Sequence, residues 1–242
     1  MPTSRFFDKI PPFPDEVPVA DIPTISLPEL IEESRRLKER PVSETLFKAC
    51  QLYGFFLLEL EGSREGETLL KDAETMFDLS TELFALGDEV LERYAYQPPK
   101  NLLGYKGVGQ LKVDDGSMDA IRLYTIGQDE TLGIVENFAH PVRGHPPLLE
   151  ARREDCANFL RHSHEVVAII LRRLDRCLGL EDGTLASTCR LDKASQTSFW
   201  MLMCQPSQPT QSSAETTINV CLFECNWNAD LFFRLFLESA YQ

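Results

Sequence analysis

Leu46-Phe47-Lys48-Ala49-Cys50-Gln51-Leu52-Tyr53-Gly54-Phe55-Phe56-Leu57-Leu58 changes its periodicity halfway along. Leu46, Ala49, Cys50 and Tyr53 recur at helical spacing, and Ser43 stands where an N-cap would. Gly54 stops the helix, and Phe55-Phe56-Leu57-Leu58-Glu59-Leu60 predicts a buried strand. A helix that gives way to a strand through one glycine sets the class: mixed helix and sheet.

On the N-terminal side, the first thirty residues hold seven prolines, which forbid helix and predict an extended path. Within them, Val17 to Leu27 reads as a short strand that leads into a helix at Pro28. On the C-terminal side, Gly62-Ser63 makes a turn, and a helix is expected from Glu65 to Leu86. Its apolar face is Leu69, Leu70, Ala73, Met76, Phe77, Ser80, Leu83 and Phe84, and Gly87 closes it. Residues 97–120 are rich in glycine and proline and read as loop. Ile121 to Ile126 reads as a strand. Pro147 to Leu178 reads as one long helix with an apolar stripe, and Thr197 to Cys204 as another strand. The order is not a regular βαβ repeat, so a doubly wound parallel sheet is not expected.

Beyond Pro209 the composition shifts. A polar linker ends near Thr217. The run Leu231-Phe232-Phe233-Arg234-Leu235-Phe236-Leu237 follows, and Ala229 to Ala240 is expected to form a helix that is apolar on most sides.

The net charge is -14 over 242 residues. An acidic surface repels phosphate backbones and anionic lipid, so neither nucleic acid nor a membrane is expected as a partner. No apolar run is long enough to span a bilayer. The chain opens without the apolar core of a secretory signal, and its seven cysteines are dispersed, so a cytoplasmic protein with reduced thiols is expected.

The side chains that could do chemistry do not assemble into a known pattern. None of the four histidines, His140, His145, His162 and His164, is followed two places on by Asp or Glu. The His-x-Asp half of a facial iron triad is therefore absent from these residues. His162 and His164 lie two apart on a helix and face different ways. Cys221 and Cys225 could meet on one helical face, but two thiols do not complete a zinc site. Gly104, Gly107 and Gly109 match no phosphate-binding fingerprint and read as a flexible loop. Asp114, Asp115 and Asp119 lack the alternation of a calcium loop.

Several segments in order nevertheless resemble one family. Val17 to Leu27, the Leu46–Leu58 stretch, the helix carrying Ala73 to Ser80, Gly104-Tyr105-Lys106 followed by Met118-Asp119 and Arg122-Leu123-Tyr124, and the strand ending Met201 to Pro209 are similar to isopenicillin N synthase-like Fe(II)/2-oxoglutarate-dependent dioxygenases. Their flavour is that of the fungal branch that tailors secondary metabolites. The resemblance implies an α+β fold, an N-terminal helix/strand region packed on an incomplete double-stranded β-helix (jelly-roll) barrel. It implies three regions: 1–130 of N-terminal type, 131–209 with the long helix and the first part of the barrel, and 210–242 as an atypical tail. It implies Fe(II) and 2-oxoglutarate as cofactors and a small molecule as substrate. It places Tyr105, Lys106, Arg122 and Tyr124 near that substrate.

The departure comes where the family's iron motif belongs. Gln211-Ser212-Ser213-Ala214-Glu215-Thr216-Thr217 stands there, and Cys204-Gln205 replaces the usual Arg and Tyr before the proline. The expectation is a chain cut short of its triad, with no catalytic or metal residue to carry over. Neither Fe(II) nor 2-oxoglutarate is expected to bind it as it stands. A non-catalytic binding or interaction remnant that meets a protein partner or itself through the apolar tail is the alternative.

Overall fold

The computed structural model describes residues 21–33, 41–112, 116–134 and 144–204, with the backbone of two further strands, Thr217–Trp227 and Leu231–Tyr241. The expectations for residues before 21, for Asp114-Asp115, for His140 and for the linker at 205–216 lie outside the described residues. The chain divides into two compact units.

The first unit contains, among described residues, 21–33, 41–71 and 161–190. Strand β1 (Thr24–Ser26) runs straight into helix α1 (Leu27–Glu33), and helix α2 (Pro41–Leu52) leads to strand β2 (Leu57–Glu59). The two strands pair in parallel, with Ile25 opposite Leu58. Ile25, Leu27, Leu30, Leu46 and Ala49 are buried, as are Val166, Val167, Ile170 and Leu171. Ser43 is not an N-cap. Pro41, which has no N–H to satisfy, opens α2, and the Ser43 N–H and hydroxyl both donate to Glu33 Oε2, at 3.0 and 3.2 Å. A carboxylate from another helix thus satisfies a donor that a local cap would have taken. The strand expected from Phe55 to Leu60 shrinks to three residues, and it is not buried: Phe55 is 56% and Leu57 53% exposed. Two strands alone offer no second layer to cover that apolar run.

The second unit contains the described residues of 72–160 and of 191 onward. Helix α3 (Arg64–Phe84) brings its last three turns into it, with Ala73, Met76, Phe77, Ser80 and Leu83 fully buried on the expected face. A short helix α4 (Asp88–Leu91) and a 3-10 turn (Glu92–Tyr94) follow. Five antiparallel strands come next, in the order β3 (Gly104–Lys106), β4 (Ile121–Gly127), β5 (Ser198–Cys204), β6 (Thr217–Trp227), β7 (Leu231–Tyr241). Helix α5 (Gln128–Leu132) caps β4. The predicted single helix from Pro147 is two, α6 (Pro147–Ala151) and α7 (Arg153–Leu178). Arg152 steps out of helical geometry between them, at φ -109° and ψ 17°, with its guanidinium on Asp155.

Two expectations are overturned here. The segment read as flexible loop contains β3, whose three residues are all buried. The tail helix expected at Ala229–Ala240 is instead strand β7, paired with β6 over its whole length. A nearly unbroken apolar run has no period that tells helix from strand, and its aromatic content favours the strand. Cys221 and Cys225 consequently lie along one strand, about 13 Å apart at the usual rise, and cannot meet.

Register sorts the sheet into two faces. Tyr105 sits opposite Tyr124, Tyr124 opposite Met201, Arg122 opposite Met203 and Ile126 opposite Phe199. Directly opposed residues share a face. This face meets helices: the Phe159 ring of α7 lies 5.0 Å from the Phe199 ring, and Arg122 lies 5.4 Å over the Phe84 ring of α3. Lys106, Leu123, Thr125, Trp200, Leu202 and Cys204 occupy the other face. Along β5 burial alternates accordingly. Phe199, Met201 and Met203 are buried, whereas Trp200, Leu202 and Cys204 are half-buried.

Candidate functional site

The four positions that the resemblance places near the substrate, Tyr105, Lys106, Arg122 and Tyr124, all lie on the β3–β4 pair. Gly104 makes the pairing possible. Its φ is +102°, and a Cβ there would stand 2.3 Å from the Tyr94 carbonyl oxygen, so only glycine fits. Tyr105 then donates its hydroxyl to Asp88 Oδ1 at 2.7 Å. Burial, reinforced by that carboxylate, pushes the phenol well above its ordinary pKa, so it stays a protonated donor. Arg122 reaches the same Oδ1 at 3.3 Å and the Met203 sulfur at 3.1 Å. Tyr105, Arg122 and Asp88 thus bind β3, β4 and α4 together on the helix-covered face.

Tyr124 faces the same way. Its hydroxyl lies 3.0 Å from His145 Nδ1. His145 Nε2 comes within 3.3 Å of Glu130 Oε1, yet the approach is too oblique for a hydrogen bond. The His145 backbone N–H donates to Glu150, Arg153 grips Glu150 at 2.7 Å, and Arg153 Nη1 returns to the Glu130 carbonyl at 2.6 Å. The cleft lined by Tyr94, Leu103, Gly104, Tyr124, Glu130, Gly144 and His145 holds about 10 Å³, at the lower limit for one water. A space of that size fits no organic substrate, and the cluster is a fastening between sheet and helices.

Lys106 alone of the four lies on the other face. It is 2% exposed, forms a buried ion pair with Asp119 and donates to the Ile121 carbonyl at 2.7 Å. Burial lowers its ammonium pKa from the ordinary value. Asp119 also accepts from the backbone N–H groups of Gln110 and Leu111, at 3.1 and 3.2 Å. The pair ties the end of β3 to Asp119 just ahead of β4, and the two N–H bonds hold Gln110 and Leu111 to the same carboxylate.

No set of described residues fits an iron centre. Among the described residues, no three histidine, cysteine, aspartate or glutamate side chains come together as a metal requires. Among the described histidines, His145 is engaged as above, and His164 Nε2 lies 2.5 Å from the Cys189 carbonyl oxygen. No step is therefore derived through iron or 2-oxoglutarate. The resemblance had offered no position on β5. The alternation that separates Trp200, Leu202 and Cys204 from their neighbours is absent from the sequence, because both sets are apolar.

Comparison with known proteins bears on the lineage. Residues 22–145, just over half of the chain, match the family model of the N-terminal region of non-haem dioxygenase in morphine synthesis. The chain belongs to the non-haem dioxygenase family. This dioxygenase-family chain is 26% identical over 175 residues to the 2-oxoglutarate-dependent dioxygenase frbH of Dothideomycetidae sp. strain 11243. The match takes in 69% of this chain and 47% of frbH, so the chain spans about half the length of that curated relative. Its fold is similar to that of a full-length Neurospora crassa protein whose crystal structure was solved in complex with alpha-KG. The TM-score is 0.60 at 18% identity, over 85% of this chain and 66% of the Neurospora protein. A 2OG-Fe(II) oxygenase family protein from Caulobacter crescentus gives a TM-score of 0.61 at 18% identity, over 82% of this chain and 61% of that one. No described helix of the dioxygenase-family chain is long and apolar enough to cross a membrane.

Proposed function

We propose that this chain is the N-terminal region and first barrel strands of a 2-oxoglutarate/Fe(II)-dependent dioxygenase that oxidises a small molecule in fungal secondary-metabolite biosynthesis, in the cytoplasm. Residues 1–130 correspond to the N-terminal-type region, 131–209 to the long helix and the start of the jelly roll, and 210–242 to an atypical tail. The family match over residues 22–145 carries this reading. The half-buried sheet face is the substrate side. Lys106 lies on it, and Tyr105, Arg122 and Tyr124 hold the two strands in place from behind.

These 242 residues contain no His-x-Asp or His-x-Glu, so they do not supply the family's iron ligands by themselves. Anaerobic Fe(II) titration of the purified chain tests this, with 2-oxoglutarate turnover followed as succinate release. The expected result is no stoichiometric iron and no succinate. One tightly bound equivalent of Fe(II) would overturn it.

A second reading, a non-catalytic interaction module, is favoured by one observation. Leu52, Tyr53, Phe55 and Leu57 are each more than half exposed within six residues. Gel filtration decides it: a monomer at every concentration counts against the module.

A further inference from the structure

The half-buried face of the sheet has one feature that neither the family match nor the relatives' names assign. Trp200 stands on β5, the central strand of five, with Thr125 opposite it on β4. Its indole N–H, the ring's only polar group, donates to Ser198 Oγ at 2.7 Å. Ser198 lies two residues back on the same face, so the bond ties the ring edge down along its own strand. What the ring still offers is its π surface. Leu123 and Leu202 supply apolar neighbours on that face. Lys106 on that face is paired with Asp119, and further along the sheet the register sets Glu224 opposite Ser198 and Arg234 opposite Glu224.

We infer that Trp200 is the stacking platform of the substrate side and selects a planar aromatic molecule. The inference rests on the reading of this face as the substrate side. It adds a substrate class, and it needs no iron. A fixed indole loses little freedom when a flat ring settles on it, and offset π stacking rewards planarity beyond apolar area.

The test uses the intact chain and two probes of equal size, 2-naphthol and decahydro-2-naphthol, measured by equilibrium dialysis. The wild-type chain should bind the planar probe more tightly. Trp200→Leu should weaken 2-naphthol about tenfold and leave decahydro-2-naphthol within about twofold. Trp200→Phe should keep most of the planar preference. Ser198→Ala, which frees the ring, should reduce that preference without abolishing it. Equal losses of both probes, or none, in Trp200→Leu would overturn the inference. If Trp200→Leu does not fold, the Phe and Ala variants decide by the same contrast. Planar preference together with one bound equivalent of Fe(II) would leave the inference standing and count only against the reading that these residues do not supply the iron ligands. A wild-type chain that binds neither probe would refute the inference whatever the iron titration shows.

Discussion

Met201 and Leu202 are neighbours of nearly equal volume on the central strand, and the two faces of the sheet predict opposite consequences for shortening them. Met201 is fully buried on the helix-covered face, whereas Leu202 is half-buried on the other. Truncating a buried methionine to alanine removes its transfer free energy and leaves a cavity, at about 2–5 kcal/mol. Leu202 keeps part of its solvent contact in the folded state, so Leu202→Ala should cost only about 1 kcal/mol. For a chain of this length each kcal/mol moves Tm by about 2–4 °C. At a central value of about 3 kcal/mol, Met201→Ala should therefore lower Tm by about 6–12 °C, and Leu202→Ala by about 2–4 °C. Urea melts read the same difference as a shift in midpoint, provided the slope is unchanged. The assignment of faces rests on register, and a one-residue slip would exchange the two residues. Equal costs, or a larger cost for Leu202→Ala, would refute the sheet register and with it the choice of substrate side.

Further outcomes follow from the ion pairs and the exposed edge. Lys106→Met leaves Asp119 buried and unpaired, at about 3–5 kcal/mol, and the double variant with Asp119→Asn should cost less than the two single losses combined, as a double-mutant cycle in urea would show. The Arg153 guanidinium holds the Glu150 carboxyl below its ordinary value. The stability it brings is therefore present above about pH 4 and lost as pH falls through the folded-state value. Arg153→Gln should flatten that acid limb in melts between neutral and acid pH. Asp129 has the opposite sign, because burial raises its carboxyl despite the Ser195 N–H. Its contribution is present below its ordinary value and lost as pH rises through the folded-state value, so Asp129→Asn should be neutral or mildly stabilising at pH 7. Phe55→Ser combined with Leu57→Ser should change stability by no more than about 0.5 kcal/mol per site while raising solubility, measured by light scattering.

The helices were legible in the sequence because a 3.6-residue period survives substitution noise over many turns. The α3 face from Leu69 to Phe84 was named residue by residue and is buried, apart from the half-buried Leu70. What escaped was short or ambiguous. Strand β3 has three residues, too few for a period of two to show, and its Gly104 reads as a loop residue until the close approach of the Tyr94 carbonyl is seen. The tail strand is ambiguous in the sequence because a contiguous apolar run satisfies either period. The break at Arg152 carries no proline or glycine to announce it.

The site divides along the same line. The resemblance brought attention to Tyr105, Lys106, Arg122 and Tyr124, but side chains that alternate along strands cannot all serve one pocket. Three of them face helices, and one does not. Strand β5 could have warned of this. A strand that is apolar at every position from Phe199 to Cys204 asks for cover on both faces. Phe199, Met201 and Met203 have that cover, while Trp200, Leu202 and Cys204 have only half of it. The strand's composition therefore leaves one face asking for an apolar occupant. On that face the ring that stands at its centre, tied by Ser198, is the surface best able to choose one.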